Sequence, residues 1–192
     1  MSSIFYRGQF DGYKVSDLTS ALESVVEAYS RDSAWEKRKT TIFLSHKHDD
    51  LEDLRGVIGW LEKKYDVEVY IDSMDKSMPK NTSGITASRI KKKIRDCDKF
   101  ILLATDKAIE SKWCNWELGY GDAKKNAFNN LALFPMRNSS SSSFYEGKEY
   151  LEIYPYIVSR LEYVSSKYNL KVNKYYVKCK NELIPLKEWF SK

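Results

Sequence analysis

The sequence predicts an α/β fold built on an open, mostly parallel sheet. Short apolar runs rich in β-branched and aromatic residues alternate along the chain with segments of helical periodicity, the pattern of strands joined by right-handed helical crossovers. Three of the runs are almost continuously apolar, as expected of strands covered on both faces. The runs end in polar residues: Ser45-His46, Asp72-Ser73, Thr105-Asp106 and Met136-Arg137. In open α/β sheets ligands bind beyond the carboxyl ends of the strands, so these positions mark the edge where function is sought.

In chain order, Ser16 is placed to cap a helix whose apolar stripe is Leu18, Leu22, Val25, Val26 and Tyr29. Thr41 to Ser45, "TIFLS", is the first buried strand. A helix starts at Asp49 or Asp50, since Leu51, Leu54, Ile58 and Leu61 recur at helical spacing. Val67 to Asp72 is the second strand, followed by the polar loop "SMDKSMPKNTSG", where Pro79 and Gly84 oppose regular structure. Ala87, Ile90 and Ile94 form the inner face of the next helix, with Lys91, Lys92 and Lys93 turned to solvent. Lys99 to Thr105 is the third strand, Ser111 to Lys125 a helix, and Leu131 to Met136 the fourth strand. Asn138 to Phe144, "NSSSSSF", is a low-complexity loop. "EYLEIYPYIV" is expected to supply a fifth strand, with a helix from Ser159 to Tyr168 and a terminal hairpin beyond it. This divides the chain into an N-terminal helical extension (1–39), a central domain (40–158) and a C-terminal extension packing on it (159–192).

A chain of 192 residues suits one well-buried domain with appendages. A formal charge of +5 tolerates an anionic ligand but falls short of the basic stripe of a dedicated nucleic-acid binder. Three cysteines, odd in number and with no CxxC spacing, argue against a disulfide framework or a zinc cluster and fit a reducing compartment. No apolar run approaches the ~20 residues that span a bilayer, and "MSSIFYRGQFDGYK" lacks the apolar stretch of a signal peptide. The expectation is a cytoplasmic protein with neither a membrane nor a nucleic-acid partner.

Several familiar chemistries find no support. There is no GxGxxG after a strand and no GxxxxGK[ST]. "HKHDD" (His46 to Asp50) could converge on a metal, but these are the only two histidines, and acids at a helix start are favoured without any metal; no metal site is expected. A phosphoacceptor receiver domain would need an aspartate where the third strand ends in Thr105. Cys114 follows a helix start, which lowers a thiol pKa, yet no histidine base neighbours it in sequence, and a packed core cysteine is the simpler reading. The stretch "SKWCNWELGYGDAKK" is harder to dismiss. On a helix, Trp113 stands one turn from Glu117, and Trp116 one turn from Tyr120. Either Glu117 escapes at the rim of a buried face, or it lines a pocket in which aromatic walls and one carboxylate serve a ligand.

Taken in order, these segments resemble the Toll/interleukin-1 receptor (TIR) domain in its bacterial form. "TIFLSHKHDD" is similar to the family's first box, and "SGITASRIKKKIRDCDKFILLATDKAIESKWCNWEL" matches almost end to end, through Ser-x-Trp-Cys-x-x-Glu-Leu. The resemblance runs from about Thr40 to Met136; the loop after the second strand departs from it, being rich in Lys, Ser and Met. It implies a flavodoxin-like sheet of strand order 2-1-3-4-5. It also implies an enzyme that takes NAD+ as substrate, with no further cofactor, and cleaves the nicotinamide–ribose bond. Glu117 would be the catalytic acid, and Ser45, His46, Asp72, Ser111 and Trp113 would line the substrate site. The product would be a signalling nucleotide, a cyclic ADP-ribose isomer or an ADP-ribose conjugate, made in antiviral defence and read by a separate effector, with self-association through TIR contacts. Two other readings stay open: a non-catalytic TIR scaffold, and a nucleoside deoxyribosyltransferase-like enzyme.

Overall fold

The computed structural model describes residues 2–15, 38–74, 84–125, 129–137, 149–165 and 170–192. Two short strands, Ser2–Ser3 (β1) and Phe5–Tyr6 (β2), open the chain and lead into a 3-10 turn at Asp11–Tyr13. Then follow Thr41–Ser45 (β3), Leu51–Tyr65 (α1), Glu68–Tyr70 (β4), Gly84–Asp96 (α2) and Lys99–Ala104 (β5). A short helix Asp106–Glu110 (α3), Lys112–Lys125 (α4), Leu131–Arg137 (β6), Tyr156–Ser165 (β7), Leu170–Cys179 (β8), Glu182–Pro185 (β9) and Leu186–Ser191 (α5) complete it. The helix expected after Ser16, most of the loop after β4 (75–83) and the serine-rich loop lie outside the described residues.

The sheet runs β4-β3-β5-β6-β7-β8-β9. Its first five strands are parallel, in the expected order 2-1-3-4-5; β8 and β9 extend it antiparallel. Although β3, β5 and β6 read as unbroken apolar runs, their side chains sort by strand alternation into two cores. Ile42, Leu44, Ile101, Leu103, Ala132 and Phe134 face α1 and α5. Phe43, Phe100, Leu102, Leu131 and Leu133 face α2 and α4. The N-terminal segment belongs to this sheet: β1 pairs antiparallel with β7, and β2 pairs parallel with the end of β6.

Three expectations are corrected. Residues 159–165 are strand, not helix: β7 is paired with β8 from Tyr156↔Lys178 to Ser165↔Leu170. The helical spacing of Ile157 and Leu161 is coincidental, since Ile157 is buried and Leu161 is 57 % exposed. On α2, Thr86 joins Ile90 and Ile94 in the buried set and Ala87 does not. The lysine run also divides. Lys92 points to solvent and pairs with Asp96 one turn on, whereas Lys93 lies 4.6 Å over the Tyr70 ring and Lys91 5.2 Å over Tyr120. Long aliphatic stems and ring faces make these positions semi-apolar despite their charge.

Residues Phe10 to Tyr13 ride directly on α1. A Cβ built at Gly56 would stand 2.7 Å from the Phe10 carbonyl oxygen, and one at Gly59 only 1.9 Å from that of Tyr13. Both obstacles are backbone, so a side chain cannot be accommodated by rotamer change. Gly59→Ala is therefore expected to destabilise the fold by about 1–3 kcal/mol, the range for overpacking a filled site, despite alanine's better helix propensity. Urea unfolding of the variant checks this; unchanged stability would mean that the N-terminal segment does not press on α1 in solution.

Candidate active site

The carboxyl edge of the sheet gathers the predicted residues. β3 delivers Ser45 fully buried at its last position. β4 ends two residues before Asp72, which opens a 3-10 turn, Asp72–Met74. α4 starts where Ser111 breaks from α3: the Ser111 hydroxyl accepts from the Cys114 amide at 3.4 Å, and its carbonyl accepts from the Asn115 amide. This fixes the register of α4 and turns Glu117 inward. Trp113 and Trp116 stay half-buried, their rings 4.9 Å apart, with Tyr120 stacked beyond.

Glu117 is 1 % exposed. The Ser45 hydroxyl donates to its Oε2 at 2.5 Å, while Oε1 is buried with no partner of hydrogen-bond geometry among the described residues. Burial pushes the Glu117 carboxyl up to about 8, and the negative charge of Asp72 adds to the shift; the Ser45 hydroxyl and the Trp113 indole oppose it. The acid is thus held largely protonated at neutral pH, with one oxygen free to engage a ligand.

His46 packs beside this pair. Its Nε2 lies 2.8 Å from the Ser73 hydroxyl, its Nδ1 3.3 Å from the Leu44 carbonyl and 4.0 Å from Asp72. Burial lowers its pKa, so the ring is neutral. Asp50, from the same "HKHDD" stretch, turns to other partners: it is 1 % exposed, accepts from Arg7 at 2.6 Å and from the Thr105 hydroxyl at 2.5 Å. Arg7 also binds Asp53 at 2.8 Å. This part-buried network ties the N-terminal segment, the start of α1 and the end of β5 into one support beneath the site. Among the described residues no His, Cys, Asp and Glu converge on a metal-ligating set.

Of the predicted site residues, Ser45, His46, Asp72, Glu117 and Trp113 meet here, while the Ser111 hydroxyl is occupied in starting α4. Cys114 sits among them. Its thiol donates to the His46 carbonyl at 3.3 Å, and burial raises it to about 11, the state of a packed structural cysteine rather than a nucleophile. Arg7 was not foreseen; its only signal was an arginine in an otherwise unremarkable N-terminal segment.

An open parallel sheet with strand order 2-1-3-4-5, carrying a buried glutamate against a serine at its carboxyl edge, defines the class. A family model for the TIR domain matches residues 42–173, and the chain belongs to that family. It is also similar to the probable 3' cyclic ADP-D-ribose synthase ThsB' of Bacillus cereus (strain MSX-D12), at 30% identity over 155 residues, spanning 79% of this chain and 77% of that protein.

The raised acid gives a test that needs no ligand. Because the folded Glu117 holds its proton to about pH 8, its contribution to stability is fully present below the ordinary carboxylate range and is lost as pH rises through 8. Glu117→Gln removes that titration. The melting temperature of the variant relative to wild type should climb between about pH 5 and pH 8 and level off above. Parallel pH profiles would show that the carboxyl is not buried.

Proposed function

We propose that the protein cleaves NAD+ between nicotinamide and ribose and closes the ADP-ribose portion into a cyclic isomer. The observation that carries this reading is the buried Glu117 carboxyl, hydrogen-bonded by Ser45 at the ligand-binding edge of a TIR sheet. The similarity to a probable cyclic ADP-ribose synthase supports it.

The geometry suits the chemistry. When the C1′–N bond breaks, nicotinamide takes the bonding pair and leaves neutral, so no acid need protonate it. Positive charge develops at the anomeric carbon, and a single carboxylate beside the ribose stabilises it. Glu117 is poised for this. The positive nicotinamide ring opposes the burial that keeps the group protonated, so its arrival drives the proton off to solvent and creates the carboxylate where it is used. The indoles of Trp113 and Trp116 border the helix face and limit water, which strengthens the interaction and favours attack by a hydroxyl of the ADP-ribose itself over hydrolysis. That hydroxyl forms the new bond to the anomeric carbon as its proton passes to the Glu117 carboxylate, which restores the resting acid. In this reading Ser45 orients Glu117, while His46, Asp72, Ser111 and Trp113 contact the substrate. NAD+ is the substrate and no further cofactor takes part. The product acts as an antiviral signal on a separate effector, in the cytoplasm; among the described residues no helix is long and apolar enough to cross a membrane.

Glu117→Gln keeps the shape and removes the charge, so NAD+ cleavage followed by mass spectrometry should fall at least ~100-fold. For wild type, kcat/KM should rise with pH to a limb near 8, since that parameter reports the free enzyme's groups. Undiminished turnover by the variant would move the catalytic role to another residue, and absence of turnover in wild type as well would leave the protein a TIR scaffold.

TIR-mediated self-association is the second part of the proposal. The chain belongs to the TIR family, and in this reading contact with a neighbouring subunit completes the site, so that the isolated protomer is poorly active. Specific activity should therefore rise with protein concentration, in step with sedimentation. Full activity in dilute, monomeric protein would exclude it.

A further inference from the structure

At the opposite edge of the sheet, where the strands begin, the structure contains a cleft of about 460 Å³. It lies beneath the first residues of β3, β5 and β6 and is closed on one side by α5. Across the length of a six-residue strand it stands ~20 Å from the edge that carries Glu117. Its lining is strongly basic: Arg38, Lys39, Arg95, Lys99, Lys125 and Lys192, against the carboxylates of Asp96 and Asp98.

Two of these cations are buried, and that is what needs explaining. Lys99 is 2 % exposed and Lys125 8 %. Lys99 donates to the neutral Asn130 side chain at 2.5 Å and lies 4.7 Å over the Trp189 ring. Lys125 donates to the carbonyls of Arg95 and Cys97, where α2 ends. No carboxylate lies within ion-pair distance of either nitrogen among the described residues. Asp98 is engaged elsewhere, by the Thr41 amide and hydroxyl and by Arg38, and Asp96 by Lys92. An ammonium has three donors; Lys99 uses one of them on Asn130 and Lys125 two on main-chain carbonyls. Buried charges are ordinarily paired, and desolvation here is strong enough to bring Lys99 down to about 8. A solvated basic face would place its ammoniums outward. These two sit at the floor of a concave site.

We propose that this cleft is a second ligand site, which binds a phosphorylated small molecule through Lys99, Lys125 and Arg95. Cations reach it from β5, from the end of α4 and from the end of α2. Convergence from several directions suits an anion bearing several charges and acceptor oxygens, as a phosphate or diphosphate does, better than a single carboxylate. A volume of about 460 Å³ accommodates a diphosphate with an organic substituent. The site is independent of the proposed reaction and stands or falls separately from it.

Calorimetric titration with inorganic pyrophosphate, without NAD+, tests the assignment. Saturable binding of one pyrophosphate per chain is expected. Loss of one charge-assisted contact should weaken it about tenfold or more in Lys99→Met and in Arg95→Ala, whereas Ser45→Ala should leave it unchanged. Arg95 is exposed at the rim, so its variant reports on the cleft even if Lys99→Met fails to fold. The assignment is overturned by any of three results: no saturable binding up to about 10 mM, beyond the range of a specific site; binding unaltered by the Arg95 variant; or binding lost in Ser45→Ala instead.

Discussion

Holding a carboxyl out of water at the end of a parallel sheet is costly, and the architecture around Glu117 meets that cost. One hydrogen bond from Ser45 is retained, the second oxygen is left without a partner, and the proton stays on. An isolated buried carboxylate would cost several kcal/mol, so the resting protein keeps the group neutral and avoids the penalty. The arrangement requires β3 and α4 to be held in fixed register, since a one-residue slip of β3 would turn Ser45 to the other face. Pairing of β3 with β4 on one side and β5 on the other prevents that slip.

The support beneath the site is electrostatic as well as apolar. Asp50 is deeply buried yet satisfied by a guanidinium and a hydroxyl at close range. Removing one partner of such a network leaves an uncompensated charge, which is far more damaging than the pair itself is stabilising. Through Arg7, whose amide also donates to the Arg137 carbonyl, the segment before α1 braces the ends of β5 and β6. The carboxyl edge of the sheet is therefore built from residues far apart in sequence.

What the sequence revealed and what it concealed follow this division between local and distant causes. Strands β3, β5 and β6 were legible as unbroken apolar runs ending in polar residues, α1 by apolar residues at helical spacing, and α4 by its paired aromatics one turn apart. Glu117 stood out because a carboxylate one turn from a tryptophan is anomalous. The strand at 159–165 was misread because Leu161 mimics helical spacing, while the pairing that makes it a strand comes from β8. Gly56 and Gly59 carry no signal of their own in the sequence; only the backbone of Phe10 and Tyr13 shows why nothing larger fits. The basic cleft draws Arg95, Lys99, Lys125 and Lys192 from separate elements, and no local pattern could have assembled them.

The placement of β1 and β2 bears on how the chain comes to be folded. Phe5 pairs beside Met136, and Ser2 beside Arg160. During synthesis these first residues leave the ribosome long before their partners exist. They must wait, unpaired, while the strands between them are made at ~5–20 residues per second. The sheet can close around them only once β7 has emerged, so its completion is a late, long-range event of the slow kind. Until then the rims of β6 and β7 offer open backbone to any other chain. A fusion partner or truncation at the N-terminus would prolong that interval, and recombinant yield would register it before activity did.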